Sequence, residues 1–466
     1  MTKYFLIALL LLQPVGSYAA DGISDTNPKH LSADGVSTID AQEALVQHAA
    51  IGMTEVEPTE NKQHTKHPDA QWFGQAALGL FLHWGISSVH GGGDISWMMM
   101  ANCGSNTGKA TVTPNTYYAL ADRFHPEKYD PEKWIHAAAE AGFTYAVLTT
   151  KHHDGYAMWP SAFGEIGVRK SLPGLDLVRP FVEACRKYGL KVGLYYSPPD
   201  WYYNRGYMSF NQGKPDFDMN HHPVVLPKKP DGWDVAYRAY LRNQIEELLT
   251  LYGPIDLIWF DGQVGGPVIS IERIRELQPS IVINPRLHGM GDFATPEVAM
   301  PSVRPPGWWE LCCPWSVGGW GYNKREEYRS LSWMLANLAK VRAWNGNLLV
   351  NVSPRPDGTL PESCYERMKE TAQWMAINRE SVVGIDTADH SGQANTPVTQ
   401  KGNTLYLFVV PEMSEPVDLK IEKRPSSVRL LGGKDFLPFS YKNGKAKIPL
   451  DAIRRSPFMD VIAVSR

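Results

Sequence analysis

Cysteine is scarce in this chain of 466 residues: there are five, at positions 103, 185, 312, 313 and 364. Only 312 and 313 are close together, and sequence neighbours do not satisfy disulfide geometry. No Cys-x-x-Cys or Cys/His ligand spacing occurs, so the pattern excludes a disulfide-stapled scaffold and a structural zinc site. Net charge is equally small. The 46 Lys and Arg against 49 Asp and Glu leave −3, which excludes general electrostatic capture of nucleic acid or of an anionic membrane. No apolar run approaches the roughly 20 residues that span a bilayer. What is abundant is aromatic and apolar: 15 Trp, 21 Tyr and 15 Phe, within an apolar fraction of 43% that excludes a disordered chain. One large domain and a smaller one, serving a small or uncharged ligand, fit these numbers. Sugars, whose C–H faces stack on rings, are one such ligand class.

Lys3 precedes an apolar run at 4–12, and Ser17, Tyr18, Ala19 and Ala20 supply the small residues of a cleavage site. This reads as a secretory signal peptide, residues 1–19, cut after Ala19. No Cys follows the run to accept a lipid, so the expectation is a soluble exported protein, secreted or periplasmic, with no membrane insertion. Residues 20–67 read as a polar lead-in, with a short helix at 41–50. Export normally invites disulfides, yet Cys185 and Cys364 fall in helix-like segments and read as buried hydrophobes.

From 78 to 380, short apolar runs alternate with amphipathic stretches. Strands are expected at 78–84, 144–150, 190–197, 256–260, 281–284 and 347–352. Helices are expected at 131–141, 177–188, 233–251, 271–277, 326–344 and 361–378. Near-continuous apolar strands in βα units imply a parallel sheet buried on both faces, and the number of units favours an α/β fold of the (β/α)8 TIM-like barrel type over 68–384. Residues 385–466 differ. Short strands at 404–410, 417–421, 427–431, 446–449 and 461–465, with a turn at Lys442-Asn443-Gly444, predict a small C-terminal antiparallel β-sandwich.

Barrel chemistry sits at the C-terminal strand ends. Five of these carry polar groups: His83, the run Lys151-His152-His153-Asp154-Gly155, Tyr195, Asp261 and Arg286. A catalytic metal on the histidines is one reading, but consecutive residues of a strand face opposite ways, so His152 and His153 share an ion only if the strand has already ended. Glycoside hydrolysis by two carboxylates, with imidazoles and aromatics around the sugar, is the other. Asp261, between Trp259-Phe260 and Gly262, is well placed as one carboxylate.

Taken together, His83-Trp84-Gly85, Lys151 to Gly155, Tyr195-Tyr196-Ser197, Trp259 to Gly262, the stretch from Gly291-Asp292-Phe293 to Thr295-Pro296-Glu297, Trp309-Glu310, Trp320-Gly321-Tyr322 and Gly346 to Val352 resemble the retaining α-L-fucosidases of glycoside hydrolase family 29. The resemblance implies a barrel followed by a β-sandwich, and a fucosylated oligosaccharide or polysaccharide as substrate, with no cofactor. It implies Asp261 as nucleophile and Glu297 as acid/base, with Glu310 the second candidate. It further implies a pocket lined by His83, His152, His153, Tyr195 and Arg286, with Trp97, Trp259 and Trp320 as walls. One departure is Ser96-Trp97, where many relatives carry Glu-Trp; the lost carboxylate leaves Asp94 as a substitute. Alternatives are an α-L-galactosidase, an endo-acting or sulfated-fucan glycosidase using a basic patch at Arg286 and Arg304, and a non-catalytic sugar-binding barrel. Trp201, Tyr202, Tyr203, Trp308, Trp309 and Trp315 are expected rim residues, while His221-His222 is a weak metal candidate.

Overall fold

The computed structural model describes residues 64–103, 112–289, 291–451 and 453–466. The expected signal peptide and the helix at 41–50 lie outside the described residues. Eight parallel strands form one sheet: β1 (Leu78–Leu82), β2 (Tyr145–Lys151), β3 (Lys191–Tyr196), β4 (Leu257–Phe260), β5 (Val282–Ile283), β6 (Phe293–Ala294), β7 (Trp308–Pro314) and β8 (Asn347–Val352). Their order is β5-β4-β3-β2-β1-β8-β7-β6. Every residue of β1, β2, β4 and β8 is buried, which is why these strands read as largely apolar runs.

Six helices cover the sheet: α1 (Pro131–Glu140), α2 (Arg179–Lys187), α3 (Trp233–Thr250), α4 (Ile271–Leu277), α5 (Leu331–Ala343) and α6 (Glu362–Asn378). α5 starts at Leu331 rather than at 326 because the Ser330 side chain accepts from Trp333 N, satisfying an N-terminal donor that the helix cannot. No helix forms in the described chain between β5 and β6 or between β6 and β7.

The barrel therefore has a seam between β5 and β6, where no strand ladder runs. Buried Asp292 closes it. Its backbone N–H donates to Ile283 O (2.7 Å). Its carboxylate accepts from Ile283 N (2.8 Å), Thr65 N (2.7 Å) and Arg275 Nη2 (2.6 Å). Asp292→Ala strands two backbone donors and is expected to lower the stability of the fold by about 3 kcal/mol. Urea unfolding checks this; an unchanged midpoint would mean that the seam is held elsewhere.

The C-terminal strands are β9 (Val398–Lys401), β10 (Thr404–Val409), β11 (Val417–Lys420), β12 (Ser427–Leu430), β13 (Ser440–Lys442), β14 (Lys445–Ile448) and β15 (Asp460–Ser465). They form antiparallel sheets ordered β12-β15-β10-β9 and β11-β14-β13. Asn443 and Gly444 both adopt positive φ (51° and 73°), as a two-residue hairpin turn requires. Period-2 alternation divides β10 and β15 between two cores. Leu405, Leu407, Val409, Ile462 and Val464 fill the sandwich, while Tyr406, Phe408, Val461 and Ala463 join the barrel core. β11 and β14 alternate buried and exposed residues, so their outer face meets solvent.

Candidate active site

The C-terminal strand ends converge on one recess. Its walls include His83, Trp97, His152, His153, Tyr195, Trp259, Asp261, Arg286, Glu297 and Trp320, which is every candidate side chain except Glu310. β2 ends at Lys151, so His152 and His153 lie beyond the pleat and both rings reach the recess, 4.1 Å apart. Gly262 (φ 93°) turns the chain away directly after Asp261.

Arg286 organises the carboxylates. Its Nη1 donates to Asp261 Oδ1 (2.9 Å) and its Nη2 to Glu297 Oε2 (2.7 Å), so one guanidinium holds both. Its Nε donates to Thr295 Oγ1 (3.1 Å), and the group lies 4.5 Å from the Trp259 ring centroid. Burial disfavours the cation, but Glu297 and Asp261 outweigh it and raise the Arg286 pKa. The second oxygen of Asp261 accepts from Tyr195 OH (2.7 Å). Glu297 stands in a strained segment: the next residue, β-branched Val298, has φ 64°, a conformation that persists only when its surroundings impose it. Val298 N donates to Cys312 O (2.8 Å), and Cys312 N to Pro296 O (3.2 Å), which tie this segment to β7.

The histidines are held neutral. Burial pushes His83 down to about 4, and pushes His152 and His153 well below the usual imidazole range, aided by their mutual proximity and by Lys151. Hydrogen-bond bookkeeping assigns two tautomers. Ser197 Oγ donates to Pro199 O (2.9 Å), so His153 Nδ1–H must donate to Ser197 Oγ (2.5 Å). His83 Nδ1–H likewise donates to Asn351 Oδ1 (2.7 Å). Each ring keeps a lone pair on Nε2. That of His153 is buried without a hydrogen bond, 3.7 Å from Asp261 Oδ2, and has the chemistry to accept from a ligand hydroxyl. Ser96 bonds His152 Nδ1 (2.5 Å), so this serine orients the ring. Asp94 does not line the recess; its carboxylate accepts from Ile95 N (3.0 Å).

His152, His153 and Asp261 also present ligand atoms within 4.8 Å of one another, the one such cluster among the described residues. A divalent cation there would face the Arg286 guanidinium already on Asp261, and the free imidazole lone pairs suit hydroxyl donors equally well. The other metal candidate is weaker. His221 Nε2 bonds Met99 O (3.0 Å), and His222 lies 3.8 Å from Asp218.

Glu310 is placed differently from the expectation of a second acid/base. It lies fully buried on β7, in the barrel interior, where Tyr145 OH (2.5 Å) and Trp259 Nε1 (3.0 Å) donate to its two oxygens. Burial raises its pKa to about 7 against the opposing pull of these two donors. A carboxyl whose folded pKa exceeds its unfolded value favours the fold while protonated; that contribution is full below about 4.5 and is lost as pH rises through about 7. Glu310→Gln is therefore expected to remove about 3 kcal/mol of the stability difference between pH 4.5 and pH 8. Thermal unfolding of both proteins across that range checks it. Parallel curves would place the titration on another group.

The expected rim is also redrawn. Trp308 and Trp309 stand at the N-terminal end of β7, opposite the recess. Trp308 stacks on His64 (3.9 Å) and Trp309 packs over Gly346, where an added Cβ would lie 2.2 Å from the ring. Trp315 is fully buried. Trp84 packs among Phe124, Tyr129 and Trp134. The basic patch does not form: Arg286 is committed to two carboxylates, and Arg304 pairs with Asp389 at 3.3 Å. Ser96, Ser197 and Asn351 stand in the quoted motifs, but their roles as anchors of the imidazoles were not assigned, nor were Phe81, Ile95 and Cys312 placed as walls. Asn351 had a signal, as a polar residue in an apolar strand. All five cysteines are buried.

The family described as Alpha-L-fucosidase matches residues 44–380. The tissue alpha-L-fucosidase of Bos taurus is 27% identical over 372 residues, which cover 74% of this chain and 75% of that one. The Homo sapiens protein of that name is 26% identical over 369 residues, with 73% and 75% covered. Among solved structures, alpha-L-fucosidase isoenzyme 1 from Paenibacillus thiaminolyticus superposes with a TM-score of 0.71 at 29% identity, covering 85% of this chain and 98% of that one. A Bacteroides thetaiotaomicron alpha-L-fucosidase, trapped as a covalent intermediate with 2-fluoro-fucosyl fluoride, shares the fold with a TM-score of 0.69 at 22% identity, covering 87% and 97%.

Proposed function

Because this chain belongs to the α-L-fucosidase family, we propose that it is a retaining exo-α-L-fucosidase that removes terminal α-L-fucosyl residues from oligosaccharides or polysaccharides. The observation that carries the mechanism is the single guanidinium joining Asp261 and Glu297 inside the recess. In the first step an Asp261 oxygen attacks the anomeric carbon, the bond to the leaving oxygen breaks, and Glu297 gives that oxygen its proton. In the second, Glu297 takes a proton from water, the water oxygen bonds to the anomeric carbon, and Asp261 departs as carboxylate. In this scheme Glu297 carries the proton of the first step while Arg286 holds Asp261 as the attacking carboxylate. Once Asp261 is esterified, Arg286 is left to Glu297 and stabilises it as the base that activates water.

The neutral imidazoles of His83, His152 and His153 accept sugar hydroxyls, and Trp97, Trp259 and Trp320 wall the recess for ring faces and a C5 methyl. Glu310 acts as a positioning residue beneath Trp259 in this scheme. Removal of a signal peptide at 1–19, a lead-in over 20–67, domains at 68–384 and 385–466, and a secreted or periplasmic location complete the proposal. Among the described residues no helix is long and apolar enough to cross a membrane.

The test is hydrolysis of 4-nitrophenyl α-L-fucoside followed by NMR. The first-formed product is expected to be α-L-fucose, with activity unchanged by a chelator. β-L-Fucose as first product would overturn retention, and loss of activity with the chelator would restore the metal reading.

A further inference from the structure

A second groove, of about 560 Å³, lies beyond the short helix Trp201–Asn204 that follows β3. The residues expected to form one rim are divided by this helix. Trp201 packs against two walls of the catalytic recess, with ring centroids 5.0 Å from Trp97 and 5.2 Å from His153. Tyr202 and Tyr203 instead line the groove, together with Tyr207, Trp233 and Tyr240. These rings brace one another: Tyr203 stacks on Tyr240 at 4.8 Å, and Tyr207 lies 4.5 Å from Trp233. The wall is thus formed before any ligand arrives, which reduces the ordering cost of binding.

Charges in the groove cancel locally. Arg205 pairs with Glu165 at 2.8 Å and lies over the Tyr202 ring, while Asp200 pairs with buried Lys151 at 3.0 Å. Polar capacity remains. Trp233 Nε1 and Tyr240 OH are spent on Asn204 and Asp200, but the hydroxyls of Tyr202, Tyr203 and Tyr207 have no hydrogen-bond partner among the described residues. Aromatic faces edged by unused hydroxyls, with no net charge to satisfy, suit an uncharged polyol better than an ion or an apolar chain. The groove also continues towards the catalytic end of the barrel. An adjoining recess of about 350 Å³ shares Asp200 and Tyr207 with it and reaches Val264 and Gly265, in the loop that leaves Asp261.

We infer that this groove is a second carbohydrate-binding site, which takes an uncharged oligosaccharide chain outside the recess around Asp261. The inference rests on the fucosidase reading for its natural occupant, the glycan that carries the terminal sugar. The test is calorimetric titration of the full chain, with saturating L-fucose in the catalytic recess, against three neutral probes: cellohexaose, maltohexaose and hexa-N-acetylchitohexaose. At least one is expected to bind, with Tyr207→Ala weakening it about tenfold and Tyr203→Phe, which removes one hydroxyl alone, about threefold. Both variants are expected to hydrolyse 4-nitrophenyl α-L-fucoside at the wild-type rate, which also establishes that they fold. Binding by none of the probes, displacement by L-fucose, or unchanged binding in both variants would overturn the site. Failure of the fucosidase reading would appear separately, as an aryl fucoside left uncleaved by the unsubstituted protein.

Discussion

Asp261→Ala is expected to reduce release of 4-nitrophenol from its α-L-fucoside by about 10⁴-fold or more, the scale on which enzymes lose rate when the attacking group is removed. The geometry leaves little room for a substitute. Asp261 is the carboxylate at the end of β4, and its two oxygens are aimed by Arg286 and Tyr195. Glu297 is held on the other guanidinium nitrogen, and Glu310 is buried beneath Trp259. The same variant supplies a stereochemical readout. Azide entering the space vacated by the Asp261 side chain attacks from the nucleophile's face, so rescue is expected to yield β-L-fucosyl azide after one inversion. Activity within tenfold of wild type, or an α-azide from this variant, would remove Asp261 from the role of nucleophile.

The second large effect is expected at Glu297. Glu297→Ala should cost about 10² to 10⁴ in rate on a natural oligosaccharide, the usual yield of general acid–base catalysis. On the aryl fucoside the loss should be smaller in the first step, because 4-nitrophenolate departs with little need of a proton, and the glycosyl-enzyme should accumulate as a burst. Azide then attacks that intermediate from the face opposite Asp261, and two inversions give α-L-fucosyl azide. The two variants thus yield opposite anomers from one reagent, which distinguishes their roles more sharply than rates do. Equal losses on both substrates, with no burst and no azide product, would leave Glu297 as a charge partner of Arg286 alone.

Most of the barrel was legible because its strands are buried on both faces and two of its helices open on a serine cap, Ser270 and Ser330. The strands at 347–352 and the helix at 271–277 form as the periodicity predicts. β6 was not legible, because its two residues stand among Gly, Asp, Thr and Pro rather than in an apolar run like that around β5, and β7 was hidden by a buried carboxylate within an apolar run. Ten candidate side chains meet in one recess because strand ends converge in a barrel, whatever the lengths of the loops between them. The fate of Glu310 was not legible. Sequence places it near the site, but only the fold shows that its side chain turns into the barrel interior. The anchoring roles of Ser96, Ser197 and Asn351 were not legible for a related reason: each acts through an imidazole far away in the chain, and no spacing rule links them. In the C-terminal domain, the unbroken apolar run of β10 marks a strand that serves two cores, a meaning that emerges only when both neighbours are in place.

The seam between β5 and β6 bears on how such a site can change over time. Asp261 grows from β4, which is paired on both sides, so moving it would disturb the register of its neighbours. Glu297 grows from the helix-free stretch after β6, tied to β7 by a few backbone contacts. Insertions and deletions there would leave the barrel's pairing intact, so descendants of this fold can exchange or relocate the proton donor while inheriting the nucleophile. The two halves of the chemistry are built on parts of unequal evolutionary freedom, and a survey of variants should find substitutions around Glu297 tolerated where those around Asp261 are purged.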